Sequence, residues 1–142
     1  MKQLIVAIAV IFDHNKKVLL TQRYSPDVLT WHNKWQLPGG KVKQKEKITD
    51  AAIREAKEEV GIEIELLTDI PLEYVNEYPQ ESIIAKLLCF PAIHKNGTVN
   101  IKNDAETKDA RWYDFNQIHQ LDCLPNTKEI IIHAQKFINH KS

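Results

Sequence analysis

Three glutamates recur within one short segment of the chain, at a spacing suited to binding a cation. Glu55, Glu58 and Glu59 occupy positions i, i+3 and i+4, and residues so spaced are neighbours on the surface of an α-helix. Carboxylates in this arrangement repel one another, whereas a hard cation such as Mg²⁺ binds their oxygens and keeps waters and phosphate oxygens as further ligands. The spacing therefore predicts either a divalent-cation site or a solvated acidic face.

A helix over residues 47–60 is required to bring these carboxylates together. Good helix formers fill the segment, Asp50 lies near its start, and Gly61 stands where a C-terminal cap belongs. We expect Arg54 and Lys57 to point away from the carboxylates. The buried face is expected to consist of small and aliphatic side chains, namely Ala52, Ala56 and Val60.

The segment Leu37-Pro38-Gly39-Gly40 precedes this helix and favours a close approach between backbone and ligand. Glycine has no Cβ and adopts backbone conformations that other residues avoid. The segment leads through a short loop to the start of the helix, where free backbone N–H groups attract anions. A glycine-containing loop, a helix start and an acidic face together indicate a site for metal-bound phosphates.

The composition is that of a globular protein without bulk attraction to polyanions. Of the 142 residues, 43% are hydrophobic and 27% are charged, and 19 basic side chains balance 19 acidic ones. A net charge of zero argues against binding to nucleic acid or to an anionic membrane. We predict one domain over residues 1–142, located in the cytoplasm, where the two separate cysteines Cys89 and Cys123 stay reduced.

The N-terminal part of the chain has a strand-rich pattern. Residues 4–12 form an apolar run that is too short to span a membrane and that indicates a strand or, alternatively, the core of a signal peptide. We expect residues 3–12 and 17–23 to pair as a hairpin. Residues 24–40 are expected to form a loop with a short strand near residues 35–37.

The rest of the pattern alternates strands with helices, which predicts an α/β or α+β fold with a mixed sheet. Asn96-Gly97 is typical of a hairpin turn. Further strands are predicted at residues 62–67, 72–78, 82–91 and 109–114, and a C-terminal helix at residues 127–138.

The acidic helix and the segment before it carry a family resemblance. Gly40, Glu46 and the run Arg54-Glu55-Ala56-Lys57-Glu58-Glu59-Val60-Gly61-Ile62 match the Nudix box GX5EX7REUXEEXGU, where U is a bulky aliphatic residue. Ala56 at the first U position is the one departure. The chain thus resembles a Nudix hydrolase.

The resemblance implies a Nudix-type α/β/α sandwich with a mixed β-sheet. It also implies hydrolysis of a nucleoside diphosphate linked to another group, with Mg²⁺ or Mn²⁺. By this likeness Glu55, Glu58 and Glu59 are expected as metal ligands, with the Gly39 carbonyl as a further ligand.

Two more residues of the box are expected to brace its geometry. Arg54 and Glu46 resemble the pair that holds the loop against the helix, although a solvated helix charge is the alternative for Arg54. Gly39, Gly40 and Lys41 are expected beside the substrate phosphates.

Outside the box, the chain resembles the MutT-type branch, pyrophosphohydrolases of dGTP and 8-oxo-dGTP. Residues 1–4, residues 34–41 and the Leu-Pro-Asn before the last helix carry this likeness. It implies that Arg23 and Asn126 contact the nucleotide and that Glu106 binds metal or positions the attacking water. A helix cap is the alternative for Asn126, and an ordinary surface charge is the alternative for Glu106.

The chain departs from that branch in two places. Lys43 and Lys45 replace an acidic residue and a glycine, which leaves a run of alternating lysines that either strengthens triphosphate binding or is simply solvated. Leu37 replaces an aromatic residue that often flanks the base. Other aromatic side chains could stack on a base instead or pack in the core and rim, namely Trp31, Trp35, Tyr24 and Tyr78.

The resemblance to the MutT-type branch implies Mg²⁺-dependent hydrolysis of a purine or 8-oxopurine nucleoside triphosphate to the monophosphate and pyrophosphate. Either Glu58 or Glu106 would accept the proton of the attacking water. The alternatives are ADP-ribose or a dinucleoside polyphosphate as substrate, or a nucleotide-binding sensor without catalysis. The expected partner is a nucleotide, with no nucleic acid or membrane, and the chain is a monomer or homodimer.

Overall fold

The computed structural model describes residues 1–102 and 104–139, and these form one mixed sheet of eight strands with helices on both faces. The strands are β1 (Lys2–Phe12), β2 (Val18–Arg23), β3 (Trp35–Gln36), β4 (Gly39–Lys41), β5 (Glu63–Leu66), β6 (Leu72–Tyr78), β7 (Ile83–Asn96) and β8 (Thr107–Tyr113). The helices are α1 (Ile48–Val60), α2 (Phe115–Ile118) and α3 (Thr127–Asn139), and a 3₁₀ turn covers Pro79–Glu81.

The centre of the sheet is a long parallel pair. β1 and β7 run parallel from Lys2 opposite Ile83 to Phe12 opposite Ile93. β4 adds antiparallel to β1, β5 and β6 add antiparallel to β7, and β2 pairs antiparallel with β3 and β8. The prediction of a mixed sheet is confirmed.

Alternation along β1 divides the core into two layers. Its even-numbered residues, such as Val10, pack in a cluster that includes Ile130 and Ile131 of α3. Its odd-numbered residues pack against α1, with Ile11 beside Ala56 and Val60. Since side chains alternate between the faces of a strand, the two helices cover opposite faces. The predicted α/β/α sandwich is therefore confirmed.

Helix α1 forms where the sequence predicts it. Its C-terminal neighbour Gly61 adopts φ +73° and donates its N–H to the Lys57 carbonyl at 3.1 Å. A left-handed residue after the last turn is where glycine is favoured, because a Cβ is strained there. The small side chains Ala52 and Ala56 are buried, which lets the helix lie close to the sheet.

Both predicted hairpins need correction. Strands β1 and β2 pair only at Phe12 and Val18, because β2 instead runs along β8. The Asn96-Gly97 turn is not a hairpin turn. It ends β7, and the chain then passes the end of α1, where the Asn100 N–H donates to the Val60 carbonyl at 2.9 Å, before β8 joins β2.

Two short elements were not predicted. The glycines of the expected loop form β4, with Gly40 opposite Ala7 of β1. The short helix α2 begins with a capping box between Asp114 and Gln117, a pattern that is visible in the sequence.

No helix in the described ranges is long and apolar enough to cross a membrane. The single domain over residues 1–142 stays a prediction, and positions 103 and 140–142 of that span lie outside the described residues.

Candidate active site

Glu59 is the most enclosed of the three helix carboxylates. It is 6% exposed, and its two oxygens accept hydrogen bonds from different strands, Oε1 from the Thr21 hydroxyl and Oε2 from the Gly39 N–H, both at 3.1 Å. Burial raises the pKa of Glu59 to about 8; the Gly39 hydrogen bond opposes this rise, and the nearby negative charge of Asp104 adds to it. A buried carboxylate of this kind favours a compensating positive charge.

Glu55 lies against β4, at Gly40. A Cβ at position 40 would come within 2.4–2.7 Å of the Glu55 carboxylate atoms, so only glycine fits there without moving that side chain. The Gly39 backbone faces the same region. Because the Pro38 carbonyl accepts from Ala9, the N–H and C=O of Gly39 both point away from β1. This direction suits the predicted ligand role of the Gly39 carbonyl.

The expectation that Arg54 points away from the carboxylates is wrong. Its Nη1 donates to Glu55 at 2.7 Å and to Glu58 at 2.9 Å. Its Nε and Nη2 hold the two oxygens of Glu46 at 2.7 and 3.0 Å, and Nη2 also reaches the Lys41 carbonyl at 3.1 Å. Helical spacing gives the direction in which the Arg54 side chain leaves the helix, but not the partners that its long, flexible side chain reaches.

This arginine strongly biases the charge state of its main partner. The guanidinium fork, together with the Lys43 N–H, lowers the pKa of Glu46 to about 2. Glu46 also accepts from Lys43 at 3.0 Å and so closes the loop before α1. Arg54 and Glu46 thus make the pairing that the box resemblance implies.

The carboxylates of α1 are ligands that suit a hard divalent cation, although their oxygens are not gathered around one point. In the described part of the chain, no three His, Cys, Asp or Glu side chains are gathered as a ready metal cluster. Instead, one guanidinium nitrogen of Arg54 lies between Glu55 and Glu58 and already supplies positive charge to both. Oxygen ligands are what Mg²⁺ prefers, so a cation would take over or share that position.

Glu106 lies apart from this cluster and pairs with a different cation. Its carboxylate is 2.8 Å from Arg23, and its exposed fraction is 67%. Arg23 also donates to the Ser25 hydroxyl at 2.9 Å and lies 5.0 Å above the centre of the Trp31 ring. The acidic residue of this loop whose charge reaches Glu59 is Asp104. Asp104 was not predicted as a site residue, although it stands in the same polar stretch as Glu106.

A cavity of about 360 Å³ lies beside β4, and of the carboxylates described above only Glu106 lines it. One end is formed by Gly39, Gly40 and Lys41, with Arg23 and Glu106 also in its wall. The remaining wall is mostly apolar and comes from β1, β6, β7 and the start of α3. Such a volume and lining are typical of small-molecule sites.

Asn126 is not placed as expected for a nucleotide contact. It does not line the cavity, and its side-chain amide donates to the Val75 carbonyl at 3.2 Å and to Asn76 Oδ1 at 2.8 Å. Its carbonyl accepts the first backbone bond of α3, from Ile130 at 2.9 Å. Asn126 therefore begins the helix through its backbone and joins α3 to β6 through its side chain.

With the fold and the site described, comparison with known proteins identifies the family. Residues 1–135 match the family model described as NUDIX domain. The chain is 35% identical to Nudix hydrolase 10 of Arabidopsis thaliana over 109 residues, which are 75% of this chain and 36% of that protein. It is 37% identical to the 8-oxo-dGTP diphosphatase of Escherichia coli over 62 residues, 44% of this chain and 46% of that protein. The chain belongs to the Nudix family.

The fold comparison agrees with this assignment. An Ap4A hydrolase from C. elegans superposes with a TM-score of 0.79 at 20% identity, covering 96% of this chain and 98% of that one. At this identity the likeness shows the fold alone. The two sequence relatives are matched over less than half of their own lengths. The prediction of a Nudix, MutT-like chain is confirmed, and Nudix hydrolases generally use divalent metals such as Mg²⁺.

Proposed function

We propose that this chain is a Mg²⁺- or Mn²⁺-dependent pyrophosphohydrolase that converts a purine or 8-oxopurine nucleoside triphosphate to the monophosphate and pyrophosphate. The observation that carries this proposal is the enclosed Glu59, bonded to β2 and to Gly39 of β4, because Gly39 also lines a cavity of about 360 Å³. Gly39 and Gly40 thus contact the carboxylates of α1 and also line the apolar cavity, so that phosphates can be held near β4 and a base in the cavity.

The carboxylates of α1 are the groups that would hold the metal. Glu55, Glu58 and Glu59 offer side-chain oxygens, and the Gly39 carbonyl faces the same region. Glu106 is the further ligand implied by the family resemblance. When bound, a divalent ion neutralises phosphate charge and lowers the pKa of the attacking water.

The chain's own residues position the reaction. Arg54 and Glu46 hold the loop before α1 so that Glu55 stays beside Gly40. Either Glu58 or Glu106 accepts the proton of the attacking water, since both carboxylates are more than half exposed. Arg23, next to the cavity and above Trp31, contacts the nucleotide. Most of the rate enhancement then comes from positioning and charge neutralisation.

The relatives support a nucleotide substrate. The E. coli protein is an 8-oxo-dGTP diphosphatase, and the C. elegans structure is that of an Ap4A hydrolase. The cavity has room for a base, and the cations Arg23 and Lys41 in its wall suit a triphosphate better than an uncharged ligand.

The test is a hydrolysis screen with Mg²⁺ over dGTP, 8-oxo-dGTP, ADP-ribose and diadenosine polyphosphates, with products identified by chromatography. We expect monophosphate and pyrophosphate from the purine triphosphates and at least a 100-fold lower kcat for Glu59→Gln. Faster turnover of ADP-ribose or of a dinucleoside polyphosphate would replace the proposed substrate. Nucleotide binding without any turnover would identify a sensor.

A further inference from the structure

Two buried polar side chains stand in the apolar wall of the cavity, on the face covered by α3. Asn76 and Tyr78 belong to β6 and are 3% and 8% exposed. Asn76 donates from Nδ2 to the Tyr78 hydroxyl oxygen at 3.0 Å and to the Pro125 carbonyl at 3.0 Å. Buried polar groups are costly unless paired, so this arrangement needs an explanation.

Backbone carbonyls determine the direction of every hydrogen bond in this network. The Val75 and Pro125 carbonyls can only accept, so the amide nitrogens of Asn126 and Asn76 must face them. The Asn126 nitrogen then also donates to Asn76 Oδ1 at 2.8 Å. The second N–H of Asn76 donates to the Tyr78 hydroxyl oxygen. A flipped amide at Asn76 would place oxygen against oxygen at Pro125 and nitrogen against nitrogen at Asn126.

The Tyr78 hydroxyl is consequently an acceptor within the protein, and its own proton remains available. Among the described residues, none accepts a hydrogen bond from that hydroxyl, and Tyr78 lines the cavity. The ring is held by Trp31, edge to face, at 5.7 Å between centroids. A buried, immobilised O–H donor without an acceptor in the protein can donate a hydrogen bond to an acceptor atom of a ligand in the cavity.

The position of Tyr78 matches the far edge of a nucleotide. β6 is separated from β4 by β1 and β7, and Tyr78 also lies further along the strands, level with Lys2 of β1, whereas Gly40 is opposite Ala7. Tyr78 and Gly39–Lys41 nevertheless line one cavity, at positions well apart from each other. A nucleotide whose phosphates lie at Gly39–Lys41 of β4 would therefore bring the edge of its base opposite the sugar toward β6. In a purine, that edge carries the substituent at C6.

We propose that the Tyr78 hydroxyl donates a hydrogen bond to the C6 oxygen of a guanine-type base, and that Asn76 and Asn126 are positioning residues that orient it. The inference rests on the proposed function in that a nucleotide occupies the cavity. An amino group at C6, as in adenine, offers a donor to a donor and leaves the hydroxyl proton unpaired, so 6-oxopurines are favoured.

The test measures binding of nucleoside monophosphates to the full chain by calorimetry, so that no turnover is needed. GMP is compared with 2-aminopurine riboside 5′-monophosphate, which lacks the C6 oxygen and keeps the 2-amino group. Tyr78→Phe should weaken GMP about 3- to 10-fold, the loss of one hydrogen bond, and leave the 2-aminopurine ligand unchanged. Tyr113→Phe is the control, because this half-buried ring packs on Trp35 and does not line the cavity.

The positioning role of Asn126 is tested in the same assay. Asn126→Gly removes the amide and suits the backbone φ of +67° at this position. It should weaken GMP selectively in the wild-type background and have no further base-selective effect in Tyr78→Phe, since both changes break the same chain of hydrogen bonds.

Equal weakening of both ligands by Tyr78→Phe, no weakening of either, or a wild-type chain that binds neither would overturn the inference. These results are separate from the fate of the proposed function. Base-selective binding without Mg²⁺-dependent hydrolysis would contradict the hydrolase and leave the role of Tyr78 standing. Mg²⁺-dependent hydrolysis with no effect of Tyr78→Phe on GMP binding would support the hydrolase and contradict the role of Tyr78.

Discussion

Replacing Gly40 with alanine should cost activity far more than stability. The new methyl carbon would lie 2.4 Å from the carboxylate carbon of Glu55 and 2.5 and 2.7 Å from its oxygens. Because nonbonded heavy atoms settle about 3.5 Å apart, that carboxylate must move by about 1 Å. A displacement of about 1 Å at a reacting group costs about 100-fold in rate. We therefore expect kcat/KM to fall about 100-fold while the melting temperature changes little, since a flexible side chain yields.

Gly39→Ala is the matched control, because its methyl group meets a different kind of obstacle. It would lie 2.4 Å from the Ala7 carbonyl oxygen, which is part of the sheet backbone and cannot rotate away. Overpacking of this kind costs about 1–3 kcal/mol, which lowers Tm by about 4–12 °C. Pyrophosphate release and thermal unfolding are measured for both variants. Full activity of Gly40→Ala, or melting as early as that of Gly39→Ala, would show that the position of the Glu55 carboxylate does not limit the rate.

Two further predictions concern the brace before α1. Arg54 holds the pKa of Glu46 at about 2, below its ordinary value of 4.5. The stabilisation from the ionised carboxylate is therefore complete above about pH 4.5 and is lost as the pH falls through about 2. The Tm difference between wild type and Glu46→Gln should accordingly stay constant from pH 8 to 5 and shrink below pH 4.5; a difference that persists at pH 2 would contradict this. Arg54→Lys keeps the charge but loses the two-pronged contact with Glu46, so both Tm and kcat should fall. Arg111→Lys, at a 65% exposed arginine, should change neither, and equal effects of the two substitutions would remove the special role of Arg54.

Much of this site can be predicted from the sequence, because the residue patterns that define it involve positions close together along the chain. The helical spacing of Glu55, Glu58 and Glu59 and the cap at Gly61 depend only on residues within a few turns. Glycines at positions 39 and 40 predict that other groups come close to this backbone. In the structure these groups are the Ala7 carbonyl, beside Gly39, and the Glu55 carboxylate, beside Gly40.

Contacts between distant segments account for what the sequence does not predict. The side chain of Arg54 turns toward Glu55 because Glu46 and the Lys41 carbonyl occupy its other nitrogens. Asn126 looks like a nucleotide contact or a cap until β6 is placed beside it, some 50 residues away along the chain. The pairing of β8 with β2 was equally hidden, because the turn signal at Asn96-Gly97 describes a local reversal and not its partner strand.

Calorimetric titration of Mg²⁺ and Mn²⁺ into the full chain, with and without nucleotide, measures whether the carboxylates of α1 hold a metal. The three carboxylates of α1 should take up divalent cations, and Glu59→Gln should weaken that uptake, because a neutral amide replaces a buried carboxylate. Glu63→Gln, an exposed glutamate beyond the helix that pairs with Lys57, should bind as the wild type does. Saturable cation binding that weakens only at Glu59 is the result we predict. A wild-type chain that takes up neither cation under either condition would show that these carboxylates are not a metal site.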